Sequence, residues 1–265
     1  MLINNFLSSR KSVRSFKSRK IGASACEKIR EMLRIYNADK SDSNIFFFHE
    51  NGENIAQSLN GYAGYNGVMI DAPSYISIDL GSSSDRERVM GMYRAESLIS
   101  FLENEGLGSC WVGVFDTPKE VLDKVFGSSH TPTMLLAIGY PKPANPFVVS
   151  EASERKPVDE IVFKDEIGNK IELQELEMRG LDDLFYYVRF APNTLNSQTW
   201  RFVLKGNEIE LYLTDHNGKY YYEDAGIIMY YFERMYELAG YKKNWKVFDE
   251  FEDVNGYKKI ATISL

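Results

Sequence analysis

Apolar residues recur at helical spacing in several segments of the chain, and shorter apolar runs separate these segments. The helical pattern covers 1–9, 21–36, 85–106, 117–126, 174–190 and 224–240. Strand-sized apolar runs occupy 44–49, 72–80, 106–116, 131–142, 200–205, 209–214, 244–248 and 259–265. A turn at Gly168 and Asn169 indicates a hairpin or linker between these elements. The mixture of helices and strands predicts an α+β fold.

The order of predicted elements in the first part of the chain is repeated in the second. One long helix ends at Gly106 and another at Gly240, and each is followed at the same interval by a strand that carries a tryptophan. This repetition favours two copies of one α+β unit, with chance similarity of two α+β halves as the alternative. We therefore predict a first repeat over 1–157 and a second, reduced repeat over 158–265.

A polar loop joins a predicted helix to a predicted strand in the second half of the chain. It reads Ala-Pro-Asn-Thr-Leu-Asn-Ser-Gln-Thr-Trp over 191–200. Pro192 ends the helix, because its ring removes a backbone donor and pushes the preceding residue out of the helical region. Asn193 and Asn196 tolerate left-handed conformations and bond to nearby backbone. The loop is therefore either a simple helix stop or a shaped, donor-rich binding segment.

The chain begins with a basic segment that contains no acidic residue before Glu27. Its cations are Arg10, Lys11, Arg14, Lys17, Arg19 and Lys20. The spacing of Arg10, Ser12 and Arg14 lets guanidinium and hydroxyl groups converge on one side of the segment. Such a set suits a phosphate monoester, because arginine binds phosphate oxygens bidentately. A solvated basic face and an organellar transit peptide are the alternative interpretations.

Composition limits the class of protein and its partners. With 265 residues, of which 44% are hydrophobic and 14% aromatic, the chain can bury a large core. The net charge of −7 argues against nucleic acid or an anionic membrane as a partner. No apolar run reaches the roughly 18 residues of a membrane span. Cys26, Cys110 and three scattered histidines argue against a metal site or a disulfide framework, and favour a reducing cytoplasm.

Several segments resemble the FMN-dependent nitroreductase superfamily. The loop over 191–200 resembles its Ala-Pro-Ser-x-x-Asn-x-Gln-Pro-Trp signature, with Asn193 in place of Ser and Thr199 in place of Pro. Three further segments resemble its Arg-Arg-Ser-Val-Arg-x-Phe opening, its Leu-Gly-x-x-x-Trp-x-Gly segment and its Lys/Arg-x-Arg-x-Pro segment, and these are 10–16, 107–113 and 153–157. As a whole, the chain is similar to the duplicated, single-chain branch called putative TM nitroreductases.

The resemblance implies an FMN site and assigns its residues. In the family, the opening segment holds the FMN phosphate, backbone at a strand end faces the flavin, and the loop covers a flavin bound mainly by the other subunit of a dimer. Carried onto this sequence, the phosphate ligands are Arg10, Lys11, Ser12, Arg14 and Arg155, the ring contacts are Asn66, Gly113 and Val114, and the cover is Pro192, Asn193, Thr194 and Asn196. Because a flavin carries the redox chemistry itself, we expect no protein catalytic residue and no Ser-His-Asp machinery.

The first half departs from the family where its own covering loop would stand. Residues 37–43 lack the proline and the asparagine pair, whereas the second half lacks the basic phosphate motif. The halves thus complement each other, and the resemblance implies an internal duplication that forms a pseudo-dimer with mostly antiparallel sheets flanked by helices. We expect a monomer in which one chain makes one whole site.

The resemblance also implies an activity. It predicts an oxidoreductase that takes hydride from NADH or NADPH and reduces a flat, electron-poor small molecule, such as a nitroaromatic or a quinone. The chain has no Rossmann glycine fingerprint, which agrees with the family's habit of stacking nicotinamide directly on the flavin. Two alternatives stay open: a reductive dehalogenase or flavin-degrading enzyme on the same fold, and a flavin-binding storage or sensor protein.

Overall fold

The chain forms two compact units, each with its own β-sheet. The computed structural model describes residues 12–39, 43–80, 84–143, 154–219 and 221–265. The four-stranded unit consists of the described residues within 11–83 and 97–149, and the five-stranded unit consists of those within 84–96 and 150–265. These units are not the predicted repeats, because 84–96 groups with the later part of the chain. The predicted duplication, with its boundary at residue 157, stays a prediction.

The four-stranded unit alternates helices with short strands. In chain order its elements are α1 (Ala23–Ala38), β1 (Ile45–His49), α2 (Gly52–Leu59), β2 (Ser74–Asp79), the second half of α3 (Asp85–Asn104), β3 (Gly108–Gly113), α4 (Lys119–Phe126) and β4 (Met134–Gly139). The strand order is β1-β2-β4-β3, and all neighbours are antiparallel. β4 is an interior strand, as its continuous apolar pattern predicts.

The segment 12–16 lies along the edge of this sheet. Ser12 forms a parallel bridge with Ser109, and the Val13 N–H donates to the Ser109 carbonyl oxygen at 2.8 Å. Gly108 makes room for this contact, because a Cβ there would lie 2.5 Å from the Val13 side chain. Phe16 is buried in the core beyond. Backbone pairing therefore fixes the position of the described part of the predicted phosphate segment.

The five-stranded unit contains the remaining elements. They are the first half of α3, β5 (Val162–Lys164), α5 (Leu173–Met178), α6 (Asp182–Val188), β6 (Trp200–Lys205), β7 (Glu208–Thr214), α7 (Tyr222–Leu238), β8 (Lys246–Val254) and β9 (Tyr257–Ser264). The strand order is β5-β6-β7-β9-β8. Only the β5–β6 pair is parallel among the strand pairs of the described residues. The predicted α+β fold with mostly antiparallel sheets is confirmed.

Two predicted elements differ from the structure. The predicted helix over 174–190 is two short helices, because Gly180 adopts φ 65° and breaks the helical path between α5 and α6. The predicted strand over 244–248 extends as β8 to Val254, where it pairs with β9 through a register irregularity. The predicted helix over 1–9 lies outside the described residues. Within the described ranges, no helix is both long enough and apolar enough to cross a membrane.

Helix α7 packs closely against the first half of α3 at Gly226. A Cβ added at Gly226 would lie 2.1 Å from the Val89 carbonyl oxygen and 2.8 Å from the Tyr93 amide nitrogen. The same two helices are joined by a salt bridge in which the Arg88 guanidinium donates to the Glu223 carboxylate at 2.7 and 2.9 Å. Glycine at 226 therefore permits a close helix contact that no other residue would allow without a backbone shift.

We expect Gly226→Ala to destabilise the protein. Overpacking costs roughly 1–3 kcal/mol, and the better helix propensity of alanine returns only about 1 kcal/mol. Because the added Cβ would meet backbone atoms, which cannot turn aside as a flexible side chain can, we expect a cost at the upper end of that range. The net loss in the free energy of unfolding should be about 2 kcal/mol, measured by urea denaturation. The exposed control Glu237→Ala should change stability by less than about 0.5 kcal/mol. A variant at 226 as stable as the wild type would show that this contact relaxes freely.

Candidate functional site

Gly113 ends β3 and is held by a backbone hydrogen bond. Its carbonyl oxygen accepts from the Gly64 N–H at 2.9 Å, and the following Val114 is 3% exposed within a core cluster. A Cβ at Gly113 would lie 3.4 Å from the Phe115 ring, which is an ordinary contact distance. Packing within this unit thus does not require glycine at 113. The prediction that glycine at 113 lets a flavin ring approach the backbone therefore stays a prediction.

The loop that carries Asn66 closes next to this strand end. The Gly61 N–H donates to the Gly67 carbonyl oxygen at 2.8 Å, which closes the loop on itself. Asn66 is exposed and adopts φ 52°, a left-handed conformation that asparagine tolerates. The structure therefore brings two predicted ring contacts, the Asn66 loop and Gly113, into one region of the four-stranded unit.

Large apolar side chains are exposed in this loop and just after β3. They are Tyr62, Tyr65, Val68 and Phe115, each at least half exposed. The hydrogen bond from the Thr117 hydroxyl to the Tyr62 carbonyl oxygen, at 3.2 Å, links the loop to the segment after β3. Clustered exposed apolar groups commonly mark a binding surface. A planar aromatic ligand has the chemistry to cover them.

The predicted phosphate segment is only partly within the described residues. Arg10 and Lys11 lie outside them. Ser12 is half-buried on its bridge to Ser109, and the Arg14 side chain is exposed. Arg14 is therefore accessible to an anion, while its backbone belongs to a segment fixed by sheet pairing.

The loop over 191–200 is held together by its own side chains. The Asn193 side-chain oxygen accepts from the Gln198 N–H at 3.0 Å, and its amide group donates to the Ala191 carbonyl oxygen at 3.2 Å. Leu195, Asn196 and Gln198 all adopt positive φ between 48° and 57°. Non-glycine residues persist in this conformation only where surrounding contacts enforce it. Pro192 lies half-buried at the start of this shaped loop.

Asp224, in the first turn of α7, anchors the middle of this loop. Its carboxylate accepts from the Thr194 N–H and hydroxyl, both at 2.9 Å, and from the Ser197 hydroxyl at 3.4 Å. The group is 1% exposed, and burial raises its pKa to about 7 despite the hydrogen bonds from Thr194. The donors of Thr194 are thus used inside the protein, and its predicted contact with flavin stays a prediction.

Arg155 and Asn196 contact each other directly. The Arg155 guanidinium donates to the Asn196 side-chain oxygen and, at 3.5 Å, to the Phe190 carbonyl oxygen. The Asn196 amide group donates to the Glu154 carbonyl oxygen at 3.0 Å. Gln198, which is 5% exposed, accepts from the Lys156 N–H at 2.7 Å. The predicted phosphate ligand Arg155 and the predicted covering loop therefore form one hydrogen-bonded network.

A second guanidinium, that of Arg189, lies near Arg155. Burial lowers the pKa of Arg155, and the positive charge of Arg189 lowers it further. Arg189 donates to the carbonyl oxygens of Tyr186 and Lys156, at 2.9 and 3.3 Å. Neither arginine pairs with a carboxylate of the described residues, and the Arg155 Nε is buried without a partner there. Among the residues that the structure describes, these two cations have spare donors and no carboxylate partner, an arrangement that favours an anion.

A serine, two histidines and an aspartate lie close together in the four-stranded unit, but they do not form a catalytic triad. In the four-stranded unit the Ser77 hydroxyl lies 2.9 Å from His130 Nε2 and 2.7 Å from His49 Nε2, and Asp79 Oδ2 lies 3.6 Å from His130 Nδ1. Ser77 is 0% exposed, so no substrate reaches its oxygen. The 3.6 Å separation is also too long for a hydrogen bond. The cluster is therefore a buried polar network rather than a nucleophile.

One hydroxyl proton serves two imidazoles in this network. The Ser77 hydroxyl can donate to one ring and accept from the other. Burial, together with the neighbouring His130, lowers the pKa of His49 to about 4. Its neutral form is thus favoured in the folded state, and this contribution to stability falls as pH drops from about 6.5 towards about 4.

Sequence reasoning missed Asp224, Arg189 and Gln198 as parts of the site. Arg189 lies at the end of α6 and was covered by the helical pattern, and Asp224 likewise opens a helix. Gln198 belongs to the quoted signature, and this place in the motif was the available signal. Among the residues that the structure describes, no group of His, Cys, Asp or Glu has the geometry of a metal site.

Solved structures with a similar fold are nitroreductase-like proteins. A "putative nitroreductase" from Thermotoga maritima MSB8 is 18% identical, with 100% of this chain and 94% of that chain covered and a TM-score of 0.62. An FMN-dependent nitroreductase from Clostridium difficile R20291 is 19% identical, covers 55% of this chain and 90% of its own, and has a TM-score of 0.44. Iodotyrosine deiodinase bound to FMN and 3-iodo-L-tyrosine is 17% identical, covers 58% and 98%, and has a TM-score of 0.41. The first likeness shows a shared fold, and the two lower scores support no conclusion.

The family comparison covers most of the chain. Curated proteins give no match. The family described as "Putative TM nitroreductase" matches residues 3–236, which include both the basic segment and the loop over 191–200. The resemblance inferred from the motifs is confirmed, and this chain belongs to the TM nitroreductase family.

Proposed function

We propose that this chain is an FMN-dependent oxidoreductase that takes electrons from NADH or NADPH and passes them to a flat, electron-poor acceptor such as a nitroaromatic or a quinone. Membership of the nitroreductase family supports the reaction class. The observation that carries the proposal is the Arg155 site, where a buried Nε has no partner among the described residues and Arg189 adds a second positive charge. A phosphate monoester supplies the missing acceptors and counter-charge.

The four-stranded unit offers one further cation for the FMN phosphate and an apolar surface for the FMN ring. Arg14 is an exposed cation on a fixed backbone, so we assign it to the phosphate as well, together with Arg10, Lys11 and Ser12 from the sequence resemblance. The exposed aromatic residues beside Gly113 fit a planar ring system. We assign Asn66, Gly113 and Val114 to the ring, with Pro192, Asn193, Thr194 and Asn196 as its cover.

FMN would supply the redox chemistry, because its ring accepts hydride and releases electrons to an acceptor. The protein's task is to bind, orient and shield. Arg155 and Arg14 would neutralise phosphate charge. The Gly113 carbonyl oxygen accepts from the Gly64 N–H, which holds this strand end in place. The loop anchored by Asp224 would shield the ring, and the hydrogen bonds of Thr194 and Gln198 hold its backbone conformation.

Anaerobic stopped flow of the FMN-loaded protein tests the proposal. Mixing with NADH or NADPH should bleach the flavin absorbance in a saturable phase, and subsequent addition of a nitroaromatic or a quinone should restore it. The alternative of a storage or sensor protein predicts bound flavin that neither pyridine nucleotide reduces faster than it reduces free FMN. That result would overturn the proposed activity while leaving flavin binding intact.

The proposal includes one FMN per chain and a monomeric protein. A single chain of 30.4 kDa then contains both the predicted phosphate ligands and the predicted covering loop. Monomer mass by light scattering, together with flavin content by absorbance, checks this point. An obligate dimer would contradict the single-chain arrangement and leave the family unchanged. A cytoplasmic location also stays a prediction.

A further inference from the structure

The four-stranded unit contains a cleft of about 610 Å³ that none of the described residues assigned to FMN lines. This volume falls within the roughly 300–1,000 Å³ typical of small-molecule sites. The floor is apolar and includes Phe16, Ala56 and Ala72, which belong to the buried core. The rim carries charged side chains of both signs. The cleft is therefore large enough, and varied enough in chemistry, to hold a small molecule.

One wall of the cleft is basic. It carries Lys17, Lys20 and Lys142, all exposed. The Lys17 N–H donates to the Tyr140 carbonyl oxygen at 2.8 Å, and the Lys142 N–H donates to the Ser15 carbonyl oxygen at 3.0 Å. This backbone pairing holds the segments of Lys17 and Lys142 side by side. Lys17 and Lys142 thus come from one paired edge of the unit, and Lys20 follows Lys17 by three positions.

The other wall is acidic and rich in amides. It is formed around the start of α2 and the segment before β2, which are joined by the hydrogen bond from the Gly52 N–H to the Pro73 carbonyl oxygen at 3.0 Å. Glu53 and Asp71 line this wall. Glu53 accepts from the Gln57 amide at 3.1 Å. Glu50 also lines the cleft, but it already forms a salt bridge with Arg30.

The two walls do not neutralise each other. No ion pair within 4 Å joins any of the three lysines to a described carboxylate, nor Glu53 or Asp71 to a described cation. Opposite charges therefore face one space without contact. A polyanion such as a nucleotide would be repelled by the acidic wall, and a simple cation by the lysines. A molecule with a charge of each sign at opposite ends satisfies both.

The geometry points to a second binding site in this cleft for a short zwitterion with an apolar body, such as a dipeptide. Its carboxylate lies at the lysine wall, its ammonium group lies at Glu53 and Asp71, and its side chain covers Phe16. The amides of Asn51, Gln57 and Asn60 line the same cleft and can donate to or accept from a peptide bond.

Calorimetric titration of the full chain with L-phenylalanyl-L-alanine tests this site. The N-acetyl dipeptide, which lacks the ammonium group, and the dipeptide amide, which lacks the carboxylate, are matched probes. We expect saturable binding of the dipeptide and roughly fivefold weaker binding of each blocked form, because each loses one partly exposed ion pair. No saturable binding of the dipeptide, or equal binding of all three probes, would overturn the inference.

Two combined variants assign the walls. With Lys17→Ala, Lys20→Ala and Lys142→Ala together, the amide should bind as well as the dipeptide, and with Glu53→Gln and Asp71→Asn together, the N-acetyl form should do so. Lys124→Ala, on the exposed side of α4, should leave all three affinities unchanged. Wild-type discrimination in either combined variant contradicts the assignment. Saturating FMN should leave dipeptide affinity unaltered, and loss of dipeptide binding would show that the site is not separate.

Discussion

Asp224→Asn should change how the stability of the protein depends on pH. Asp224 is almost fully buried, and its pKa is raised to about 7 from an ordinary value of 3.8. Between these values the folded state holds a proton that the unfolded state has lost, so stability falls as pH rises, by up to about 1.4 kcal/mol per pH unit. Above pH 7 the penalty is complete and constant. This is the largest effect that we expect from a single substitution.

Asparagine should remove this dependence and keep the loop anchored. Its side-chain oxygen can accept from Thr194, and its amide group can donate to the Ser197 hydroxyl. Urea denaturation from pH 4 to pH 8 measures the effect as the difference between variant and wild type, in which contributions such as that of His49 cancel. The difference should favour the variant increasingly up to about pH 7, whereas exposed Asp215→Asn should give a flat difference. A flat difference for Asp224→Asn would show that the carboxylate is not the penalised group.

Arg155→Ala should weaken FMN at least tenfold and leave riboflavin almost unaffected. A hydrogen bond between charged groups contributes about 1.5–3 kcal/mol, which corresponds to a factor of roughly 10 to 150 in affinity. Riboflavin has the same ring and no phosphate, so it reports any general loosening of the loop through the lost contact with Asn196. Flavin fluorescence quenching measures both affinities.

The control for this prediction is Arg234→Ala. Arg234 is an exposed arginine of α7 whose surface contact with Glu237 lies on the helix itself, so its loss should change neither affinity. Arg155→Lys should restore part of the FMN affinity, because it keeps the charge and loses the fork geometry. Equal weakening of FMN and riboflavin by Arg155→Ala would mean that Arg155 supports the loop and does not bind phosphate.

Local sequence signals predicted most of the elements because each is encoded within a few residues. The strand Trp200–Lys205 and helix α3 follow directly from apolar patterning. Gly180 was visible in the sequence, but a single glycine does not reveal whether a helix tolerates it or ends there. The extent of β8 was also hidden, because its charged residues are exposed on a strand whose partner is β9.

The site was only partly predictable, because its contacts join residues distant in sequence. The motif resemblance identified Arg155 and Asn196, but it did not predict that they contact each other. Asp224 meets Thr194 across 30 positions, and Ser77 meets His130 across 53, so neither contact leaves a local pattern. In the sequence Arg189 has the pattern of a solvated helix charge, and only its bond to the Lys156 carbonyl oxygen and its charge beside Arg155 distinguish it. The roles of these side chains depend on which residues lie beside them in the folded chain.

Titration of the wild-type apoprotein with FMN and with riboflavin tests the central claim most directly. The account predicts saturation at one FMN per chain, with riboflavin bound at least about tenfold more weakly because it lacks the phosphate that Arg14 and Arg155 are assigned to hold. No saturable binding of FMN, or equal affinity for the two flavins, would contradict it.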